Sequence, residues 1–236
     1  PGVQCDAEQA DLLASGRPLA REPVMKWHQE VLDKAGHAAA RRITAAADFY
    51  LAGGTGLALR LGHRVSLDLD LFSQNNALRA GERQSLLVAI KASGAVTVLE
   101  EKEGTLHLNL GGTSVSLFHY PYPILGRFED WDGLPMASLE DIAAMKLSAV
   151  LGRGAKKDFI DLHELCRRLS LERVMKAGSR KFPEHRDFPL QAARALVYFD
   201  DAEREPMPKM LNQLLWRDVK AYFEAAIPKY VRTHLA

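Results

Sequence analysis

The sequence predicts an α+β protein whose strand-rich half, ending near residue 130, is followed by an all-helical half. Three observations carry this reading. The run Leu67-Asp68-Leu69-Asp70-Leu71-Phe72 alternates apolar and acidic residues with the period of a strand. Residues 95–101, 105–110 and 113–118 read as further strands, the last two joined as a hairpin across Gly111-Gly112. Beyond residue 130 the apolar positions recur every three or four residues, and neither a low-complexity linker nor an internal repeat separates the halves.

Composition excludes several classes. The 236 residues are 47% hydrophobic and 26% charged, the balance of a globular domain, and neither disordered nor collagen-like. A chain this long buries a core without disulfides or structural metal. Thirty-one Lys and Arg oppose thirty Asp and Glu, so any steering of a charged partner comes from local patches. Cys5 and Cys166 are expected as free thiols of a reducing compartment. No apolar run approaches the roughly 20 residues that cross a bilayer, and the start resembles no signal peptide, so a cytoplasmic protein without a membrane partner is expected.

Taken in order, residues 1–24 begin at Pro1 and show no sustained period, and are expected as a flexible or appended segment. An α+β core over 25–130 and a helical domain over 131–236 follow. Apolar spacing predicts a helix over 24–47, a short strand over 48–52, a turn at Gly53-Gly54, and helices over 55–61 and 82–93. Tyr120-Pro121-Tyr122-Pro123 reads as the exit from the sheet, since proline brings no ladder donor. Ser138, three residues before Asp141, caps a helix to 151, and further helices are expected over 156–169, 171–179, 189–199 and 208–226. Trp131, Trp216, Tyr222 and Phe223 fall at packing spacings and are assigned to core or domain interface.

Several residues are candidates for chemistry. Asp68 and Asp70, at i and i+2 of a strand, point to one side about 7 Å apart, a separation at which two carboxylates share divalent cations; Ser66 has the same parity. Mg²⁺ completes its shell with substrate phosphates, so this pair suits phosphoryl or nucleotidyl transfer; acids facing water on an amphipathic strand are the alternative. Gly53-Gly54-Thr55 lies at a strand-to-helix turn, where missing Cβ atoms and free N–H donors accommodate a phosphate; an ordinary tight turn is the alternative. Thirteen residues, 55–67, separate Gly54 from Asp68, enough for a helix and a return that makes cradle and carboxylates neighbours.

Lys146 falls at the centre of the apolar face of the 139–151 helix, and Asp158 at the edge of another apolar stripe, with Asp161 farther round. Unpaired, such charges would cost several kcal/mol. Either they form a structural ion pair, or Lys146 contacts a triphosphate while Asp158 orients it or acts as a base; both can hold together. Residues 151–186 carry ten Lys or Arg against five Asp or Glu, a patch able to meet an RNA backbone or simply a solvated face. Arg64 is a candidate phosphate contact, and His63 reads as polar turn surface.

The run from Leu51 to Phe72, LAGGTGLALRLGHRVSLDLDLF, resembles the signature of the AbiEii/AbiGii toxin family of nucleotidyltransferases. The segments Asp141-Ile142-Ala143-Ala144-Met145-Lys146-Leu147 and Arg153-Gly154-Ala155-Lys156-Lys157-Asp158-Phe159-Ile160-Asp161-Leu162 resemble its second signature. The resemblance implies a DNA polymerase β-like nucleotidyltransferase fold with a mixed sheet, and a helical C-terminal region completing the active-site cleft. It implies NTP as substrate and Mg²⁺ or Mn²⁺ as cofactor, with Gly53, Gly54, Thr55 and Ser66 handling phosphates and Asp68 and Asp70 binding metal. Lys146 and Asp158 match the family's lysine and downstream aspartate. Members are commonly toxins paired with antitoxins, some adding nucleotides to the acceptor end of tRNA.

One departure stands out. Many polymerase β-like enzymes carry a third carboxylate on a later strand, whereas here that strand reads Val115-Ser116-Leu117-Phe118. Either Asp158 supplies the missing function, or catalysis is weak, or the chain is a silent nucleotide- or partner-binding homologue. A small-molecule nucleotidyltransferase of the antibiotic-modifying kind is a further alternative.

Overall fold

The structure, a computed structural model, describes residues 27–235. The expected N-terminal segment, the first residues of the 24–47 helix and Cys5 lie outside the described residues. A 3-10 turn (Gln29–Val31) precedes α1 (Lys34–Ala46). The helix starts at Lys34 because the Asp33 carboxylate accepts the Gly36 N–H at 2.7 Å and caps it. Then follow β1 (Tyr50–Leu51), α2 (Gly53–Leu61), β2 (Leu69–Ser73) and α3 (Ala80–Lys91). β3 (Thr97–Lys102), β4 (Thr105–Leu110), β5 (Thr113–His119), β6 (Glu129–Trp131) and β7 (Leu134–Met136) complete the strands. The C-terminal helices are α4 (Leu139–Arg153), α5 (Lys156–Leu169), α6 (Leu171–Lys181), α7 (Phe188–Ala195), α8 (Asp200–Glu203) and α9 (Trp216–His234).

The strands form one mixed seven-stranded sheet in the order β3-β4-β5-β2-β1-β7-β6. β2 runs antiparallel to β1 and parallel to β5, and β1 runs parallel to β7. The β6–β7 hairpin departs from the expectation of helices beyond the β5 exit. Three-residue strands are too short to print a period, and the only local signal is its turn: Asp132 and Gly133 take φ of +50° and +80°, the conformation Asp-Gly adopts in tight hairpins.

Two further elements start later than their patterns suggested. The strand expected over 67–72 begins at Leu69, and Leu67 is 68% exposed. The Asp68 carbonyl accepts the Thr55 hydroxyl at 2.6 Å, so this backbone is satisfied by a side chain rather than by a ladder. The helix expected from 208 begins at Trp216, because 209–211 run beside 63–65: Val65 N–H donates to the Lys209 carbonyl and Leu211 N–H to the His63 carbonyl, both at 2.9 Å. The helix expected over 189–199 ends at Ala195, and α8 follows as a separate turn.

Buried apolar side chains form two clusters. One lies under the sheet with α1, α2 and α3; the other gathers α4–α9 around Phe159, Leu162, Leu165 and Phe223. β1 and α2 feed both: Leu51, Ala58 and Leu59 pack into the first, Tyr50, Ala52 and Leu57 into the second. Trp131 is buried in the first, and Phe223 in the second with Trp216 and Tyr222 packed against it. Cys166 is a buried free thiol. Lys181 is fully buried, its Nζ 2.7 Å from Asp141 and donating to the Pro123 carbonyl at 2.9 Å. Asp141 also accepts the N–H groups of Leu125 and Gly126, which ties the sheet exit to α4. Among the described residues no helix is long and apolar enough to cross a membrane.

Candidate active site

The site forms where β1 passes into α2. Gly53, at φ +62°, and Gly54 open the helix, and its first turn leaves the N–H groups of Gly53, Gly54 and Thr55 without an i−4 carbonyl. Side chains press on this turn from both sides. A Cβ at 53 would stand 2.7 Å from Asp70 Oδ2, and a Cβ at 54 would stand 2.5 Å from an Arg64 guanidinium nitrogen and 2.9 Å from Ser66 Oγ. The glycines are therefore required by packing as well as by backbone. Gly54→Ala should cost about 1–3 kcal/mol, since Arg64 is pinned and cannot swing away; an unchanged thermal midpoint would contradict this.

Thr55 is fully buried, its hydroxyl donating to the Asp68 carbonyl and lying 3.0 Å from the Ser66 hydroxyl. Its side chain thus shapes the Asp68 loop, and what it offers a ligand is its backbone N–H. Asp68 is exposed, and Asp70 is half-buried and lines a 340 Å³ cleft together with Gly53, Phe72, Phe118, Lys146 and Arg153. Burial raises the Asp70 carboxyl above its ordinary range, and the Asp68 charge adds to this against Lys146, Lys157 and Arg153. A desolvated carboxylate beside a second one favours a cation between them. Among the described residues no three Asp, Glu, His or Cys side chains converge as a complete metal site. The two hard oxygen donors nevertheless fit Mg²⁺, which keeps several waters or phosphate oxygens in its shell.

Behind the cleft lies a buried charge cluster. Lys146 Nζ stands 2.8 Å from Asp158 and 2.6 Å from Asp161. Asp161 is the hub: it accepts Arg64 Nε at 2.7 Å and Arg64 Nη2 at 2.8 Å, a bidentate pair, and its carboxylate contacts His63 Nε2 at 2.8 Å. Burial pushes the Asp161 carboxyl up, but Lys146 and Arg64 outweigh it and hold it well below the usual range. Burial works against the Lys146 ammonium, yet Asp161 and Asp158 together keep its pKa raised. Asp158, in the first turn of α5, also accepts Arg153 at 2.7 and 3.0 Å. Burial raises its carboxyl, and Lys146 and Arg153 overcome that and lower it.

This arrangement corrects two readings. His63 is buried against Asp161 and is no turn surface. Arg64 is buried, with its guanidinium spent on Asp161 and the Val65 carbonyl, so it supports the glycine turn and is not free for a phosphate. Asp158, with both oxygens engaged by cations, is a poor proton acceptor. The Lys146–Asp158 pair exists, and Lys146 also lines the cleft. Sequence reasoning placed Asp161 on the α5 stripe but missed its role as hub, since its partners lie on α4 and the loop before β2, and it missed Arg153, which is more than half exposed beside Asp70. Of the ten cations over 151–186, Lys156 and Lys181 are buried in internal contacts, and Arg173 and Arg180 pair with Glu140.

The profile of the family described as Nucleotidyl transferase AbiEii toxin, Type IV TA system, matches residues 38–126 and 115–235. An uncharacterised protein of Aquifex aeolicus is 35% identical over 191 residues, covering 78% of this chain and 88% of its own. Among solved structures, MenT4, a nucleotidyltransferase toxin of Mycobacterium tuberculosis, shares the fold with a TM-score of 0.52 at 15% identity, over 81% of this chain and 82% of its own. The antibiotic-resistance factor ANT(2'')-Ia superposes with a TM-score of 0.46 at 20% identity, over 61% of this chain and 90% of its own.

Proposed function

The chain belongs to the AbiEii nucleotidyltransferase toxin family, and from that premise we propose that it transfers an NMP from an NTP to an acceptor hydroxyl with the help of Mg²⁺ or Mn²⁺. The acceptor in this reading is an RNA such as the tRNA acceptor end, and the protein is a cytoplasmic toxin held in check by a cognate antitoxin. The observation that supports it is the close approach of Asp70 to Gly53, a cation-seeking carboxylate directly against an anion-seeking helix N-terminus. Asp68 and Asp70 would hold the metal, which when bound neutralises phosphate charge and aligns the α-phosphorus.

The remaining roles belong to the chain. N–H groups of Gly53, Gly54 and Thr55 receive phosphate oxygens at the positive end of α2. Arg153 and Lys157, both exposed beside Asp70, balance the charge of the departing pyrophosphate. Lys146 contributes its field from beneath, fixed by Asp158 and Asp161. Ser66, Thr55 and Arg64 keep the turn and the Asp68 loop in register.

The test is incubation of the protein and its Asp68→Asn variant with each α-labelled NTP, Mg²⁺ and total cellular RNA. Label in one RNA size class with wild type alone is the expected result. Label on protein, or on an added aminoglycoside instead, would replace RNA as acceptor. NTP binding without transfer to any of these would leave a silent binding homologue.

A further inference from the structure

Neighbouring strands place four polar residues in one row: Asp70 pairs with Ser116, Ser116 with His107, and His107 with Glu100, so one residue from each of β2, β5, β4 and β3 faces the same side of the sheet. Ser116 and His107 are half-buried on this face, while Leu69, Val115 and Leu108 alternate into the core behind it. His107 Nδ1 lies 2.8 Å from Ser116 Oγ, and its Nε2 lies 3.6 Å from Glu100 Oε2. Glu100 is in turn held by Lys102 Nζ at 2.9 Å.

Resting on the transfer reaction proposed above, we infer that Ser116 and His107 form the proton relay that takes the acceptor's proton where related enzymes use a carboxylate. Glu100 favours the tautomer with hydrogen on Nε2, which leaves the Nδ1 lone pair to accept the Ser116 hydroxyl. Ser116 is the register partner of Asp70, about 4.8 Å away between backbones, and shares a sheet face with Phe72 and Phe118, which line the cleft beside Asp70. As the acceptor O–H bond breaks, its proton passes to Ser116 Oγ while the Ser116 proton passes to His107 Nδ1. The acceptor oxygen bonds the α-phosphorus and the bond to the bridging oxygen of pyrophosphate breaks. The imidazolium is balanced by Glu100 and returns its proton to water, since the His107 side chain is 28% exposed. The charged groups facing the ring are Glu100 and, through it, Lys102 on β3; from β5 it meets Ser116 and the edge of Phe118. Ser116 touches the reacting atom; His107 acts through it.

The experiment measures label transfer from the four α-labelled NTPs to total cellular RNA and to aminoglycosides, over a pH series, in wild type, Asp70→Asn, His107→Gln, Ser116→Ala and the double variant Ser116→Asp/His107→Gln. His107→Gln and Ser116→Ala are expected to lower kcat on the order of 100-fold, with the NTP KM within about twofold, and His107→Gln to lose the acidic limb of the wild-type profile. Ser116→Asp should restore transfer to His107→Gln, because a carboxylate at 116 needs no relay; a merely structural His107 would not be rescued. Histidine-selective ¹⁵N NMR of the unliganded protein should show His107 protonated on Nε2, with Nδ1 shifting in Ser116→Ala. Full kcat in His107→Gln, or a proton resident on Nδ1, would overturn the relay while transfer abolished in Asp70→Asn left the parent reaction standing. Wild type that labels no acceptor would overturn the transfer reaction and the relay with it.

Discussion

The Asp70→Asn protein is expected to fold as wild type and to transfer nucleotide at least about 1000-fold more slowly. Charge stabilisation at a metal-assisted phosphoryl centre is worth several kcal/mol, and each 1.4 kcal/mol is tenfold in rate. The stability side has the opposite sign. Burial and the Asp68 charge raise the Asp70 carboxyl. A group with a raised folded pKa stabilises most when protonated, below its unfolded value of about 3.9, and that contribution is lost as pH rises through the folded pKa. Above the folded pKa the carboxylate is therefore a strain on the fold, and asparagine removes it. Thermal melts of the two proteins, read beside their labelling rates, check both halves: a lower melting point in Asp70→Asn would contradict the electrostatic account, and retained transfer would contradict the catalytic one.

Asp161→Asn should do the reverse, lowering stability by about 3–5 kcal/mol through the loss of the anion that compensates three buried partners. For a chain of this size that is a fall of about 6–20 °C in melting temperature. The sign follows from the depressed Asp161 carboxyl. Its contribution is present above the unfolded value near pH 4 and disappears as pH falls through the folded pKa, so variant and wild type should converge in acid. Urea midpoints at pH 7 and below pH 4 measure this; a gap that stayed constant across that range would assign the loss to packing instead.

Asp68, Asp70 and the glycine turn were legible because one continuous run of sequence carries both, and Lys146 with Asp158 because a helical wheel exposes a charge on an apolar face. Asp161 was not, because its Arg64 partner lies 97 residues away and no local period reports a contact between α5 and the loop before β2. The seven-stranded sheet was readable in β2–β5, each five residues or longer, and in the two-residue β1, which the Gly53-Gly54 turn marks; the three-residue β6 and β7 were lost. The delayed start of α9 has the same origin: a helical pattern over 208–215 yields to two backbone bonds with 63 and 65 that sequence spacing does not encode. The Asp70–Ser116–His107–Glu100 row is invisible for a third reason, since it depends on the register of three strand pairs and not on any one strand.

The pairing of 209–211 with 63–65 also bears on synthesis. Strands and helices of the first half leave the ribosome early and form local structure, yet the backbone that presents Asp68 and Asp70 gains its outer partner after Lys209, Met210 and Leu211 emerge. Translation thus delivers a partly ordered chain in which the loop carrying Asp68 stays unclamped until 209–211 have emerged. Until then the backbone at 63–65 lacks these two hydrogen bonds, so the order of synthesis sets the order in which the two halves of the fold are joined.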